Sequence, residues 1–272
     1  MNDFTTIGPP LRLPRGSAML QKKIVSHLVL TAILALTAGT AAKAEDWTGF
    51  YAGVSAGPQF DQSKFKTSSV GPNNVFGISG NAEQKFNDGD GRIGAFAGWQ
   101  MTVAPAVIAG VEGDITALVD SSNDKPGLPG ISYNGATPSD TIGEKQNYDA
   151  SLRGRLGTMI EPDTLVYGTA GGALRSLDVR GYCPGTGVTS WCGVSEGEIQ
   201  TKTLIGWTAG IGAETKLMDK WAVRLEYRYA DYGNKTLTLF SSANQGTDQV
   251  GGKVNLNSQI ITLGIVYHFG GL

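Results

Sequence analysis

The chain has 272 residues, 40% of them hydrophobic and only 17% charged, with 39 glycines and a formal net charge of −2. Glycine is thus about twice its usual share of ~7%, and so low a charge density argues against a disordered chain and a coiled coil. No basic run marks a nucleic-acid partner. No stretch of 18 or more apolar residues follows the N-terminal region, which argues against a helical membrane span there.

From Met19 the chain reads as an export signal. Lys22 and Lys23 form its positive end, Leu28 to Leu36 its apolar segment, and Ala42-Lys43-Ala44 its A-x-A cleavage pattern. Ala42 and Ala44 are the expected cleavage determinants, so the signal spans residues 19–44 and the mature domain residues 45–272. Residues 1–18, with Pro9, Pro10 and Pro14, lie upstream and read as a mis-called start. A short core helix is the competing reading of the apolar segment.

Removing residues 1–44 leaves 17 basic and 23 acidic residues, and both cysteines, Cys183 and Cys192, remain. An exported chain meets an oxidising compartment in which the two can pair, at a gain of about 3 kcal/mol for so short a loop. Two unpaired buried thiols are the alternative.

Eight segments read as strands: Trp47 to Gly57, Arg92 to Met101, Val107 to Leu118, Tyr148 to Met159, Leu165 to Leu174, Leu204 to Thr215, Trp221 to Tyr232 and Ser258 to Phe269. Each is near the ~9 to 11 residues that a tilted strand needs to cross a bilayer. Short turns centre on Ala104-Pro105, Glu161-Pro162-Asp163 and Met218-Asp219-Lys220. They alternate with long polar stretches, about Pro58 to Gly91, Val119 to Asn147, Ser176 to Thr203 and Gly233 to Asn257, expected as loops. Short turns on one side and long loops on the other are the pattern of an outer-membrane barrel.

Residues within these segments alternate with period two. Trp221, Val223, Leu225, Tyr227 and Tyr229 share one face, and Ala222, Arg224, Glu226 and Arg228 the other. The same alternation separates Trp207, Ala209, Ile211 and Ala213 from Thr208, Gly210, Gly212 and Glu214, and Ile261, Leu263, Ile265, Tyr267 and Phe269 from Thr262, Gly264, Val266 and His268. A soluble sandwich would bury the apolar face, and alternation by itself does not fix the polarity. Charge does: unpaired ions in an apolar core cost several kcal/mol each, whereas a membrane barrel turns the apolar face to lipid.

The expected fold is therefore all-β, an eight-stranded antiparallel up-and-down transmembrane barrel with four long outer loops. Parity directs Glu112, Asp114, Glu214 and Glu226 inward, together with Arg153, Arg155, Arg224 and Arg228. Eight strands enclose a lumen that side chains can fill, so these eight groups are expected to form an Arg–carboxylate network; hydrated positions near the rims are the alternative. Trp47, Phe50, Tyr51, Trp221, Tyr267 and Phe269 are expected in an aromatic girdle at the periplasmic side.

The start Trp47-Thr48-Gly49-Phe50-Tyr51-Ala52-Gly53 resembles the first strand of the OmpA-like small outer-membrane β-barrel family, which includes immunogenic porin-family surface proteins. In the last strand, Thr262, Gly264, Tyr267 and Phe269 are similar to the family's signal for the barrel assembly machinery; the tail Gly270-Gly271-Leu272 departs from chains that stop at the aromatic residue. The resemblance implies a protein of the cell outer membrane, delivered by periplasmic chaperones and inserted by that machinery, with no catalytic site.

Motifs for chemistry are weak. Gly89, Gly91 and Gly94 spell G-x-G-x-x-G but precede a strand, the wrong context for a dinucleotide. Asp88 and Asp90 lack the oxygen ligands of a calcium loop. His268 is the single histidine after residue 44, at the end opposite to where a lipid hydrolase needs one. No cofactor, metal or nucleic acid is expected. The expected role is structural and surface-interacting, with outer-membrane lipid, lipopolysaccharide and host or cell-surface ligands as partners. A narrow diffusion porin is the alternative, and a lipid-modifying enzyme ranks last.

Overall fold

The computed structural model describes residues 47–70, 83–119, 122–130, 140–185, 195–241 and 249–270. All belong to one compact unit, Ala41–Leu272. The signal segment with Ala42 and Ala44 lies outside the described residues.

Nine strands follow one another: β1 (Gly49–Val70), β2 (Glu83–Ala104), β3 (Val107–Val119), β4 (Ser122–Pro126), β5 (Thr141–Glu161), β6 (Thr164–Cys183), β7 (Glu196–Met218), β8 (Trp221–Leu239) and β9 (Val250–Gly270). Except for β3 and β4, neighbours in sequence pair antiparallel, and β1 pairs with β9, from Phe50↔Gly270 to Val70↔Val250. β3 pairs with β5 from Val107↔Thr158 to Ala117↔Tyr148, while the short β4 continues the same edge with Ser122↔Lys145 to Pro126↔Thr141. β3 and β4 thus form one interrupted stave, and the pairings close a ring of eight staves. Closure pairs both edges of every stave in the half near the tight turns, whereas beyond Trp207↔Asp231 and Gly91↔Val119 the β7–β8 and β2–β3 ladders stop.

Three tight turns join the staves at one end: Pro105-Ala106, Pro162-Asp163 and Asp219-Lys220. Proline sets its own φ near −65°, and Ala106 adopts φ 61°, which reverses the chain in two residues. The turns also tie neighbouring hairpins together, with Met159 N–H donating to Ala106 O at 2.9 Å and Lys216 N–H to Asp163 O at 2.9 Å.

At the other end the strands outrun expectation. The stretches read as loops from Pro58, Val119, Ser176 and Gly233 hold the ends of β1, β6 and β8, all of β4 and the beginnings of β2, β5, β7 and β9. Their polarity explains the error. Between Phe50 and Phe60 the exposed apolar residues of β1 face out, whereas beyond Phe60 the outward positions are Gln62, Lys64 and Lys66, and the inward ones include buried Phe65 and Val70. β9 inverts likewise: Ile261, Leu263, Ile265 and Phe269 are exposed near the turns, but Val250, Val254 and Leu256 are buried beyond. A search for outward apolar stripes stops where the stripe changes face.

Each stave is therefore a membrane strand continued by a soluble one. From Phe50 to Phe60, ten residues at ~3.3 Å and a tilt near 40° rise roughly 25 Å, the height of an outer-membrane apolar band. Above it, Phe65, Phe86, Ile142, Leu177, Val179, Leu204, Leu239 and Phe240 form the principal dry cluster inside the barrel. Cys183 belongs to this cluster and is disulfide-bonded; Cys192, the sequence's other cysteine, lies outside the described residues.

Candidate functional site in the barrel interior

Inside the apolar band the lumen is filled by charge. Glu112, on β3, accepts hydrogen bonds from Arg153 Nη2 at 2.6 Å, Arg224 Nη1 at 2.6 Å and the Tyr51 hydroxyl at 2.9 Å. Glu214, on β7, accepts from Arg155 Nη2 at 2.8 Å and Arg224 Nε at 3.0 Å, and its other oxygen meets His268 Nε2 at 2.7 Å. Glu226 takes Arg153 Nη1 at 2.8 Å and the Tyr167 hydroxyl at 2.9 Å. Asp114 takes Arg228 Nη1 at 2.9 Å and also bonds the Ser151 hydroxyl. The eight groups expected inside from strand parity thus lie in one connected, buried cluster fed by β3, β5, β7 and β8.

The alternation of the strands explains the convergence. Glu112↔Arg153 and Glu214↔Arg224 are direct cross-strand partners, so both members point to the same side. The remaining pairs, such as Arg224 with Glu112, span the lumen between staves that are not neighbours. Guanidinium forks suit this task because each offers several fixed donors. The rings that cross with them need space, and glycine supplies it: a Cβ on Gly98 would overlap the Tyr51 hydroxyl, and one on Gly212 the Tyr167 ring. Arg155 in turn stacks 3.8 Å from the centre of the Tyr167 ring.

A second layer, toward the outer end, involves residues that the sequence reading did not select. Arg175 donates to Asp61 at 2.9 Å, Gln146 at 2.6 Å and Asp149 at 2.8 Å, and lies over the Tyr232 ring. Arg92 reaches Asp149 at 3.1 Å, Thr116 at 2.7 Å and Gln59 at 2.7 Å. Arg92 and Asp149 shared the inward parity of Phe96 and Arg153, so the rule already in use would have found them. Arg175 followed the expected end of its strand by one residue, and Asp61 lay in an expected loop. Among the described residues the two layers pair six arginines with six carboxylates.

The inner mouth is closed by Trp47, 1% exposed, against Ile108, Met159, Leu165 and Tyr167. Its carbonyl accepts from Gln100 Nε2 at 2.8 Å, its ring meets that of His268 edge-on at 5.2 Å, and Lys216 Nζ lies 4.8 Å from its centre. Trp47 and Tyr51 are consequently not girdle residues: the parity that sends Phe50 outward sends Tyr51 into the lumen, and the chain before β1 folds Trp47 under it. The girdle on this side comprises Phe50, Trp221, Tyr267 and Phe269, with Tyr267 packed 4.9 Å from Trp221 and 5.0 Å from Phe269. In the last strand, Thr262 and Gly264 face inward while Tyr267 and Phe269 face outward.

Outside the band, Glu144 on β5 is buried beside the Ser63 hydroxyl, with Asp88 and Asp61 nearby. Burial, reinforced by those two carboxylates, pushes its carboxyl up to about 7.

Comparison with known proteins gives a consistent picture. The sequence profile described as "Outer membrane protein beta-barrel domain" matches residues 28–269. The 25 kDa outer-membrane immunogenic protein of Brucella abortus is 31% identical over 224 residues, which cover 82% of this chain and 79% of that protein. The 31 kDa outer-membrane immunogenic protein of Brucella melitensis is 28% identical, covering 75% and 82%. Among solved structures, the outer membrane protein OprG from Pseudomonas aeruginosa aligns over 81% of this chain and 97% of its own, with 14% identity and a TM-score of 0.49.

Proposed function

Since the chain belongs to the outer membrane protein β-barrel domain family and resides in the cell outer membrane, we propose that it acts as a structural and surface-interaction protein closed to solutes. The observation that carries this reading is the two-layered charge network across the lumen, lying between the Trp47 floor and the outer apolar cluster. A porin needs a continuous aqueous path; at the level of the inner charge layer, the void lined by Ser55, Phe96, Glu112, Thr116 and Arg224 holds about 20 Å³, room for one water. Asp114 and Arg153, which also line it, each keep a buried polar atom without a hydrogen bond, Oδ1 and Nε, that a water could satisfy.

With a carboxylate partner for each of its arginines, the buried network holds its members in one arrangement, which makes the barrel a rigid base for the strands that continue above the membrane. Those extensions and their connections form the surface open to host or cell-surface ligands. The description of the Brucella relatives as immunogenic agrees with exposure of that part. Thr262, Gly264, Tyr267 and Phe269 serve as the signal read by the assembly machinery, and periplasmic chaperones deliver the chain. An enzyme is disfavoured because His268 is engaged by Glu214 and Trp47 at the inner mouth.

Planar-bilayer recording tests the closed lumen. Purified protein is expected to give no discrete conductance steps. Steps of reproducible size in the wild type would favour the porin and overturn this reading.

A further inference from the structure

We propose that the outward wall formed by β1, β2 and β9, just above the apolar band, is a binding site for a phosphorylated glycolipid of the outer leaflet, held by Lys64, Lys66, Lys85 and Lys253. The inference rests on the outer-membrane placement and is independent of whether the lumen conducts.

All four lysines are exposed. Lys64 lies directly opposite Lys85 across the β1–β2 pair, and Lys66 directly opposite Lys253 across the β1–β9 pair. Like charges facing each other on neighbouring strands are destabilising, with Cβ atoms only about 5 Å apart. This wall holds two such pairs side by side. Among the described residues, Glu83 is the carboxylate within their reach, 4.0 Å from Lys64 and 3.8 Å from Lys85, which leaves an excess of three positive charges among these five groups. Asp231 shares the outward face lower down, where its carboxylate accepts from Gly233 N–H at 2.8 Å. The far wall differs: there Lys145 is opposite Asp178, which also accepts a hydrogen bond from Thr201. Among the described residues, directly opposed lysine pairs therefore occur on this wall alone.

Height selects the ligand. Phe60 is the last exposed apolar residue of β1, and Lys64 and Lys66 follow four and six residues later. At ~3.3 Å per residue and a tilt near 40°, they stand roughly 10 and 15 Å above it. The polar zone of an ordinary bilayer is only about 5 to 8 Å deep on each side, so phospholipid phosphates lie below the patch. Phosphates carried on a sugar headgroup stand higher and meet it, and flexible lysine stems can bend toward them. Outward Gln62 and Asn257, opposite each other, sit between the lysines and the apolar band, where amides can bond sugar hydroxyls, and Asn255 is level with Lys64.

The test compares wild type with the quadruple variant Lys64→Gln, Lys66→Gln, Lys85→Gln, Lys253→Gln, both refolded in neutral detergent and titrated with purified rough lipopolysaccharide. Binding is read from the rise in the temperature at which heat-dependent gel mobility changes. Removing two like-charge pairs should leave the lipid-free transition unchanged or higher. Apparent affinity is expected to fall at least about tenfold, with the double variants Lys64→Gln/Lys85→Gln and Lys66→Gln/Lys253→Gln intermediate and Lys145→Gln unchanged. Equal binding by the quadruple variant, wild-type binding that survives dephosphorylation of the glycolipid, or equal affinity for phosphatidylglycerol would each overturn the assignment.

Discussion

Replacing Glu214 by Gln keeps the shape of the side chain and deletes one charge at the centre of the network. Glu214 is fully buried and holds Arg155, Arg224 and His268. Arg224 retains Glu112 as a partner at 2.6 Å, whereas Arg155 has Glu214 as its one ion-pair partner among the described residues. The substitution thus strands a buried guanidinium against the Tyr51 and Tyr167 rings. Breaking a buried pair from one side costs about 3 to 5 kcal/mol. With a urea slope of about 2 kcal/mol per M, the unfolding midpoint in micelles should fall by about 2 M. Adding Arg155→Met to Glu214→Gln removes the stranded charge, so the double variant should recover at least about 1 kcal/mol relative to additivity. A Glu214→Gln midpoint equal to wild type, or strict additivity in the cycle, would refute the reasoning that these groups depend on one another.

Two further outcomes follow from packing and burial. Gly212→Ala puts a methyl into the Tyr167 ring and should destabilise by about 1 to 3 kcal/mol, whereas Gly172→Ala, which meets nothing within 4 Å, should stay within about 0.5 kcal/mol of wild type in the same urea titration. For Glu144, the folded carboxyl titrates near 7 against 4.5 in the unfolded chain, so the folded state holds the proton more tightly. Its contribution is complete below about 4.5 and is lost as pH rises through about 7, on the order of 3 kcal/mol in all. Unfolding midpoints measured from pH 4.5 to 8 should fall for wild type and flatten for Glu144→Gln; equal slopes in both proteins would contradict the assignment.

What the sequence disclosed depended on how far one rule could be pushed. Period-two alternation with charged residues on one face located the membrane halves of the strands, because lipid outside and charge inside reinforce each other there, as in Trp221 to Tyr229. The same rule failed beyond Phe60, where the apolar residues turn inward and the pattern of Phe65, Val70 and Val254 is that of a soluble sheet. Reading parity through the inversion would have carried β1 to Asp61 and β6 to Arg175, and with them the second ion-pair layer. Aromatic residues were harder, since composition does not distinguish a girdle from a lumen. Phe50 and Tyr51 are neighbours in sequence and lie on opposite sides of the wall, and Trp47, read as the start of the first strand, shares the parity of Tyr51, so alternation applied to the aromatics would have turned both inward. Partners across the lumen, such as Arg224 and Glu112, depend on closure of the ring and have no local sequence signal.

The most direct test of the wall's polarity uses its tryptophans as depth probes. In single-tryptophan variants reconstituted into vesicles with brominated acyl chains, proteins retaining only Trp207 or only Trp221, both exposed on the outer face, should be strongly quenched. A protein retaining only Trp47, enclosed at the inner mouth, should be quenched little. Equal quenching of Trp47 and Trp221, or none of Trp207, would contradict a barrel whose apolar side meets lipid and whose charges are enclosed.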